Sequence, residues 1–92
     1  MRLDVFLKLS RLIHRRSLAQ EFCDAGRVSV NGAIAKSSKE VKTGDEIEVK
    51  KGDRTTRARI TRVPDKKQVA KSEAADLYEV IGQSSLDEDL SI

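Results

Sequence analysis

The sequence predicts an α+β fold: two short N-terminal helices packed on a small antiparallel sheet of about four strands, with a flexible acidic C-terminal tail. Three observations predict it. Leu3, Phe6 and Leu7 recur at the spacing of one helix face. "SLAQ" at 17 to 20 has the form of a capping box and opens a second helix. Asn31-Gly32, set between alternating apolar and polar residues, is the strongest short hairpin signal.

Each element follows in order. After the first helix, Leu9, Leu12 and Ile13 repeat the i, i+3, i+4 pattern, which fits a connection with one apolar side. In the second helix Ser17 is the expected N-cap with Gln20 three residues into it, and Leu18, Phe22 and Ala25 form the expected inward stripe. Gly26 supplies the left-handed residue that ends it. Val28 and Val30 then alternate with polar residues into the Asn31-Gly32 turn. "TGDE" turns the chain into "EIEVK", and "TTRARITRV" alternates again before Pro64. The expected organisation is a folded unit over 1–63, a connector and C-terminal segment packing on it over 64–81, and an acidic disordered tail over 82–92.

Ninety-two residues make one small domain with little room for a large internal active site, which disfavours an enzyme. Apolar runs do not exceed three residues, so neither a membrane-spanning helix nor a signal segment is expected and the protein should be cytoplasmic. One cysteine and one histidine cannot build a tetrahedral zinc site, so no metal or cofactor is expected, and Cys23 should pack as a small hydrophobe. The net charge of +3 conceals an asymmetry. All 18 basic residues and nine of the 15 acids precede residue 72, whereas the last 21 residues hold six acids and no base. A basic body with an acidic end is the outline of a polyanion binder.

The cations concentrate at "SRLIHRRS", residues 10 to 17, where Arg11, His14, Arg15 and Arg16 stand together. Arg15 and Arg16 immediately precede the expected start of the second helix, whose free N–H groups and dipole favour an anion. Guanidinium forks there suit phosphate oxygens because they donate two parallel hydrogen bonds without losing charge. Aromatic residues are few. Phe6 and Phe22 fall on apolar helix stripes and Tyr78 lies outside the expected strands, so a base-stacking platform is not expected and recognition should go through phosphates and the shape of a structured nucleic acid.

The order of these residues resembles the S4 RNA-binding domain. "RLDVFL" at the start, "SR" before the second helix, "GRVSVNG" across the hairpin and "GDEIEV" in the next strand carry the resemblance over residues 1 to about 50. It implies an S4-like fold, also called alpha-L, whose helices and hairpin present a basic surface to structured RNA. "RLIHRRSLA" and "KSEAADLYEVI" are further similar to the stand-alone RqcP family of bacterial ribosome-associated quality control. That similarity implies a non-catalytic, cytoplasmic, monomeric factor. Its partners would be the large ribosomal subunit, 23S rRNA and peptidyl-tRNA, with RqcH acting beside it as alanines are added to stalled chains. The heat-shock S4 proteins that act on blocked large subunits are the alternative. Carried over residue by residue, the RNA contacts fall on Arg2, Arg11, Arg15 and Arg16, and more loosely on Lys8, Arg27, Asn31 and Lys36. For Asn31 the turn alone is a sufficient explanation, whereas Arg2 at the extreme N-terminus has little expected role in folding.

Two other functions fit the same charges. One is a DNA-binding module, although no helix carries the mix of Arg, Asn and Gln expected for major-groove reading. The other is an adaptor that sets its basic face against an acidic protein. As exposed arginines seldom carry fold energy, Arg16→Ala is expected to leave stability within about 0.5 kcal/mol. Phe22→Ala, at an expected core position, should cost about 3 kcal/mol or more.

Overall fold

A computed structural model describes residues 1–64 and 69–85. Helix α1 spans Leu3–Leu9, and its apolar face is buried through Leu3, Phe6, Leu7 and Leu9. Its opening turn is fully hydrogen-bonded. Leu3 N–H donates to Lys39 O at 2.8 Å, Asp4 N–H to Ser37 O at 3.1 Å and Phe6 N–H to Arg2 O at 3.0 Å. Val5 N–H donates to the Asp4 side chain at 2.8 Å. The Phe6 bond is the first of the helix ladder; the three helical donors before it, Leu3, Asp4 and Val5, which would otherwise be orphaned, are satisfied from outside that ladder, and the loop around residues 37–41 is fastened to the N-terminus. Ser10 caps the helix and Arg11 follows in the left-handed region with φ 62°.

Helix α2 spans Arg16–Asp24, with Arg15 as N-cap and no side-chain cap. The capping box on Ser17 and Gln20 is therefore not formed, because the helix starts one residue before Ser17 and Gln20 donates instead to Asp4 of α1. The expected inward stripe is also rotated. Ala19 and Cys23 are buried, while Leu18 and Ala25 are exposed and Phe22 is half-buried against the core. Two small side chains facing inward allow close approach, and Arg16 and Gln20 must reach Asp4 from the same side. Gly26, at φ 73°, ends the helix as expected: Gly26 N–H donates to Cys23 O and Arg27 N–H to Phe22 O, the paired bonds of a Schellman motif.

The sheet contains β1 (Val28–Val30), β2 (Ala33–Ile34), β3 (Glu46–Lys51), β4 (Arg54–Ile60) and β5 (Tyr78–Ser85) in the order β2-β1-β3-β4-β5, all neighbours antiparallel. Asn31 and Gly32 have φ 52° and 86°, the two left-handed residues of a type I′ hairpin. Val28, Val30, Ile47, Val49 and Ile60 form the core with Leu3, Phe6, Leu7, Ile13 and Leu77. On the opposite face Arg57 lies 3.6 Å from Glu46 and 3.8 Å from Glu48, and Arg59 lies 3.9 Å from Glu46. The bases of β4 are thus matched by acids of β3.

Five strands are present where about four were expected. The fifth follows a short helix α3 (Lys71–Ala74) and a 3-10 turn (Ala75–Leu77). Its register against β4 shifts between Arg57 and Ala58, which breaks the strict alternation that reveals strands in sequence. It continues to Ser85, so residues 82–85, placed at the start of the acidic tail, are paired backbone. The rest of that tail, 86–92, and residues 65–68 of the expected connector lie outside the described residues.

Candidate nucleic-acid interface

Asp4 organises the site although sequence reading passed over it. Its side chain is fully buried at the junction of the two helices. Arg2 donates through Nε to Oδ1 at 3.2 Å and through Nη2 to Oδ2 at 3.2 Å. Arg16 donates through Nε to Oδ2 at 3.3 Å, and Gln20 through Nε2 to the same oxygen at 2.9 Å. Burial pushes the Asp4 carboxyl up, but the hydrogen bonds from Gln20, Arg16 and Arg2 and the Arg16 charge outweigh it and hold the group below the usual carboxylate range. The signal was available in "RLD": an acid in the first turn of an otherwise apolar helix needs a partner if that turn is buried.

The geometry joins Arg2, which precedes α1, to Arg16, which opens α2. Their side chains remain 43% and 49% exposed, so each guanidinium is anchored on its inner edge and open on its outer one. Arg16 uses only Nε inward, leaving both terminal nitrogens for an anion. This corrects two expectations. Arg2 is built into the fold through Asp4 and through its β-bridge to Glu40, and Arg16 is tied to the same buried carboxylate instead of standing free on the surface.

Arg15 and Arg11 are exposed in the same helix connection, and His14 lies exposed between them. Lys36 is exposed in the segment after β2 that leads to the loop bonded to α1, and Lys8 is exposed on the last turn of α1. Among the described residues none of these bases forms an ion pair. Arg27 stands apart at the far end of α2, its guanidinium carbon 5.6 Å from the centre of the Phe22 ring. Asn31 is exposed, but its side chain is bonded back to the protein: Nδ2 donates to Asp45 at 3.1 Å, and Oδ1 accepts from Glu46 N–H at 3.0 Å. Both ends of its amide are engaged by the protein at the turn. Lys39 and Lys42, exposed in the loop fastened to α1, extend the basic surface and were not picked out from the sequence.

The surface is suited to holding phosphates by charge and fork geometry. Cys23 is buried, and burial, followed by the charges of Asp4 and Asp24, raises its thiol to about 11, so it is a poor nucleophile at neutral pH. Among the described residues no helix is long and apolar enough to cross a membrane.

Comparison with known proteins gives the chain its family. The S4 domain model matches residues 1–47. The chain is 52% identical over 80 residues to the RQC P-site tRNA stabilizing factor of Halalkalibacterium halodurans, covering 87% of this chain and 89% of that one. It is 46% identical over 88 residues to the factor of the same name from Bacillus subtilis, covering 96% and 100%. The trimeric structure of Vibrio cholerae Heat Shock Protein 15 superposes with a TM-score of 0.78 at 30% identity, over 99% of this chain and 87% of that one. With an S4 match over its first half and near full-length identity to these factors, the chain belongs to the S4-domain family of RQC P-site tRNA stabilizing factors.

Proposed function

We propose that this protein binds large ribosomal subunits obstructed by a nascent chain and stabilises the peptidyl-tRNA in the P site while alanines are added to the stalled peptide. The observation that carries this reading is the match over nearly the whole length of relatives named for P-site tRNA stabilisation, in a chain whose first helices pair Arg2 and Arg16 on one buried carboxylate. In this reading the face around Arg2, Arg11, Arg15 and Arg16 contacts the phosphates of 23S rRNA and tRNA, with Lys8 and Lys36 at its margins and Arg27 as a separate contact beyond the far end of α2. The protein works in the cytoplasm as a monomer and catalyses no bond change. It contributes by position, holding a tRNA where a partner of the RqcH type can use it.

A second reading has a specific observation behind it. The structural likeness to Heat Shock Protein 15 also fits a factor that acts on nascent-chain-blocked subunits without a part in tailing. A stalling reporter, blotted for C-terminal alanines in cells with and without the protein, separates the two. Tails lost on deletion and restored by the parent chain support the tailing role. Full tailing without the protein overturns it and favours the second reading. Absence of the protein from fractionated subunits would move the adaptor reading ahead of both.

A further inference from the structure

Asp4 carries more than a fold requires of a first-turn acid. Toward the helix start Asp4 supplies a single acceptor, to Val5 N–H at Oδ1, while Leu3 N–H and Asp4 N–H bond to backbone carbonyls. The remaining four hydrogen bonds come from Arg2, twice, and from Arg16 and Gln20, converging on one carboxylate that has no exposure to solvent. Arg2 and Arg16 lie fourteen residues apart in sequence, on two helix starts, yet both reach Oδ2.

From this convergence we propose that Asp4 is a positioning residue for RNA binding, fixing the guanidinium groups of Arg2 and Arg16 as a preset pair for phosphate oxygens. The proposal rests on the RNA-binding reading of this face. A free arginine must be ordered from many rotamers when it meets a phosphate, and an arginine already held by its inner edge loses less on binding. Gln20 completes the arrangement by filling the third donor direction at Oδ2 with a neutral group, so the carboxylate is held without adding a further cation.

The sign of the effect separates positioning from simple charge. Asp4 is an anion beside a phosphate-binding face, so on charge alone its neutralisation should tighten RNA binding. Asp4→Asn raises the net charge from +3 to +4. Positioning requires the reverse, a loss of roughly tenfold in affinity.

The test uses the full chain with fluorescently labelled tRNA as probe, titrated at several salt concentrations, with circular dichroism confirming that each variant is folded at the assay temperature. Arg16→Ala should weaken binding and lower the log–log salt slope by about one contact. Asp4→Asn should weaken binding with the slope nearly unchanged, because both cations remain. The double variant should be weaker than either by less than the product of the two effects. Arg16→Lys keeps the charge at a half-exposed site and tests the point should Asp4→Asn fail to fold: it should bind nearly as poorly as Arg16→Ala. Tighter binding by Asp4→Asn, full additivity in the double variant, or parental affinity in Arg16→Lys would overturn the positioning role. No effect of Arg16→Ala would instead overturn the RNA-face reading on which it rests.

Discussion

Gln20 and Asp4 meet at 2.9 Å across the interface of α1 and α2, and this contact fixes which side of α2 faces inward. With Gln20 and Arg16 both turned to Asp4, Ala19 and Cys23 enter the core, and Leu18 is left 37% exposed. A polar contact between two short helices thus decides a packing choice that apolar content alone would have decided the other way.

The first prediction concerns stability. Arg16→Ala removes one of the donors on a buried carboxylate and should cost about 1 kcal/mol, reduced from the full penalty because the arginine is half exposed. Arg15→Ala, which has no ion-pair partner among the described residues, should stay within about 0.5 kcal/mol of the parent. Urea midpoints at neutral pH measure both. Equal stability for the two variants would count against the Asp4 anchor.

The second prediction follows from the titration of Asp4. Its folded-state acidity is increased, so its contribution to stability is fully present above the ordinary carboxylate range and is lost as pH falls through the lowered folded value. Relative to the parent, Asp4→Asn should be least favourable at neutral pH, and the gap should narrow below about pH 4. Paired unfolding curves at pH 7, 5 and 3 check the direction. A gap that widened in acid would show that the carboxyl is held neutral.

A third prediction distinguishes the two phenylalanines. Phe6 has no solvent exposure and lies at the centre of the core, so Phe6→Ala should cost about 3–5 kcal/mol. Phe22 packs only against the edge of that core and carries Arg27 over its ring, so Phe22→Ala should cost less than half as much. Thermal unfolding of the pair decides whether α2 is seated by Phe22 or, as the structure indicates, by Ala19 and Cys23.

How far the sequence revealed this molecule depends on whether the information was local. The Asn31-Gly32 turn, the Gly26 stop and the alternation in β1, β3 and β4 depend on neighbours a few residues apart, and all appear as expected. The rotation of α2 and the pairing of Arg2 with Arg16 depend on Asp4, twelve residues or more from Arg16 and Gln20, and no periodicity within either helix reports it. Strand β5 was missed for a different reason: Gly82 and a register shift interrupt its pattern, and it acquires its identity by pairing with β4. For the site, residue type was enough to collect the arginines. The bond that ties Asn31 back requires Asp45, whose buried carboxylate becomes evident only when the chain returns after the hairpin.

The last prediction places the working surface in cells. If RNA is held through Arg2 and Arg16, the double variant Arg2→Ala/Arg16→Ala should resemble deletion of the protein, leaving stalled reporter chains with few or no added alanines. The other extreme of the chain supplies the control. Removing residues 86–92 leaves the β4–β5 pairing intact, deletes Asp87, Glu88 and Asp89, and raises the net charge from +3 to +6. Because that change lessens repulsion from phosphates, the truncated protein should tail as well as the parent and bind tRNA equally or more tightly at low salt. The advantage should shrink as salt screens it, since a gain in net charge acts at long range whereas a guanidinium fork acts at contact. Blots for alanine-tailed reporters, read beside tRNA titrations of the same variants, give four measurements. Full tailing by the double arginine variant, or loss of tailing on truncation, would move the functional surface away from the helix junction.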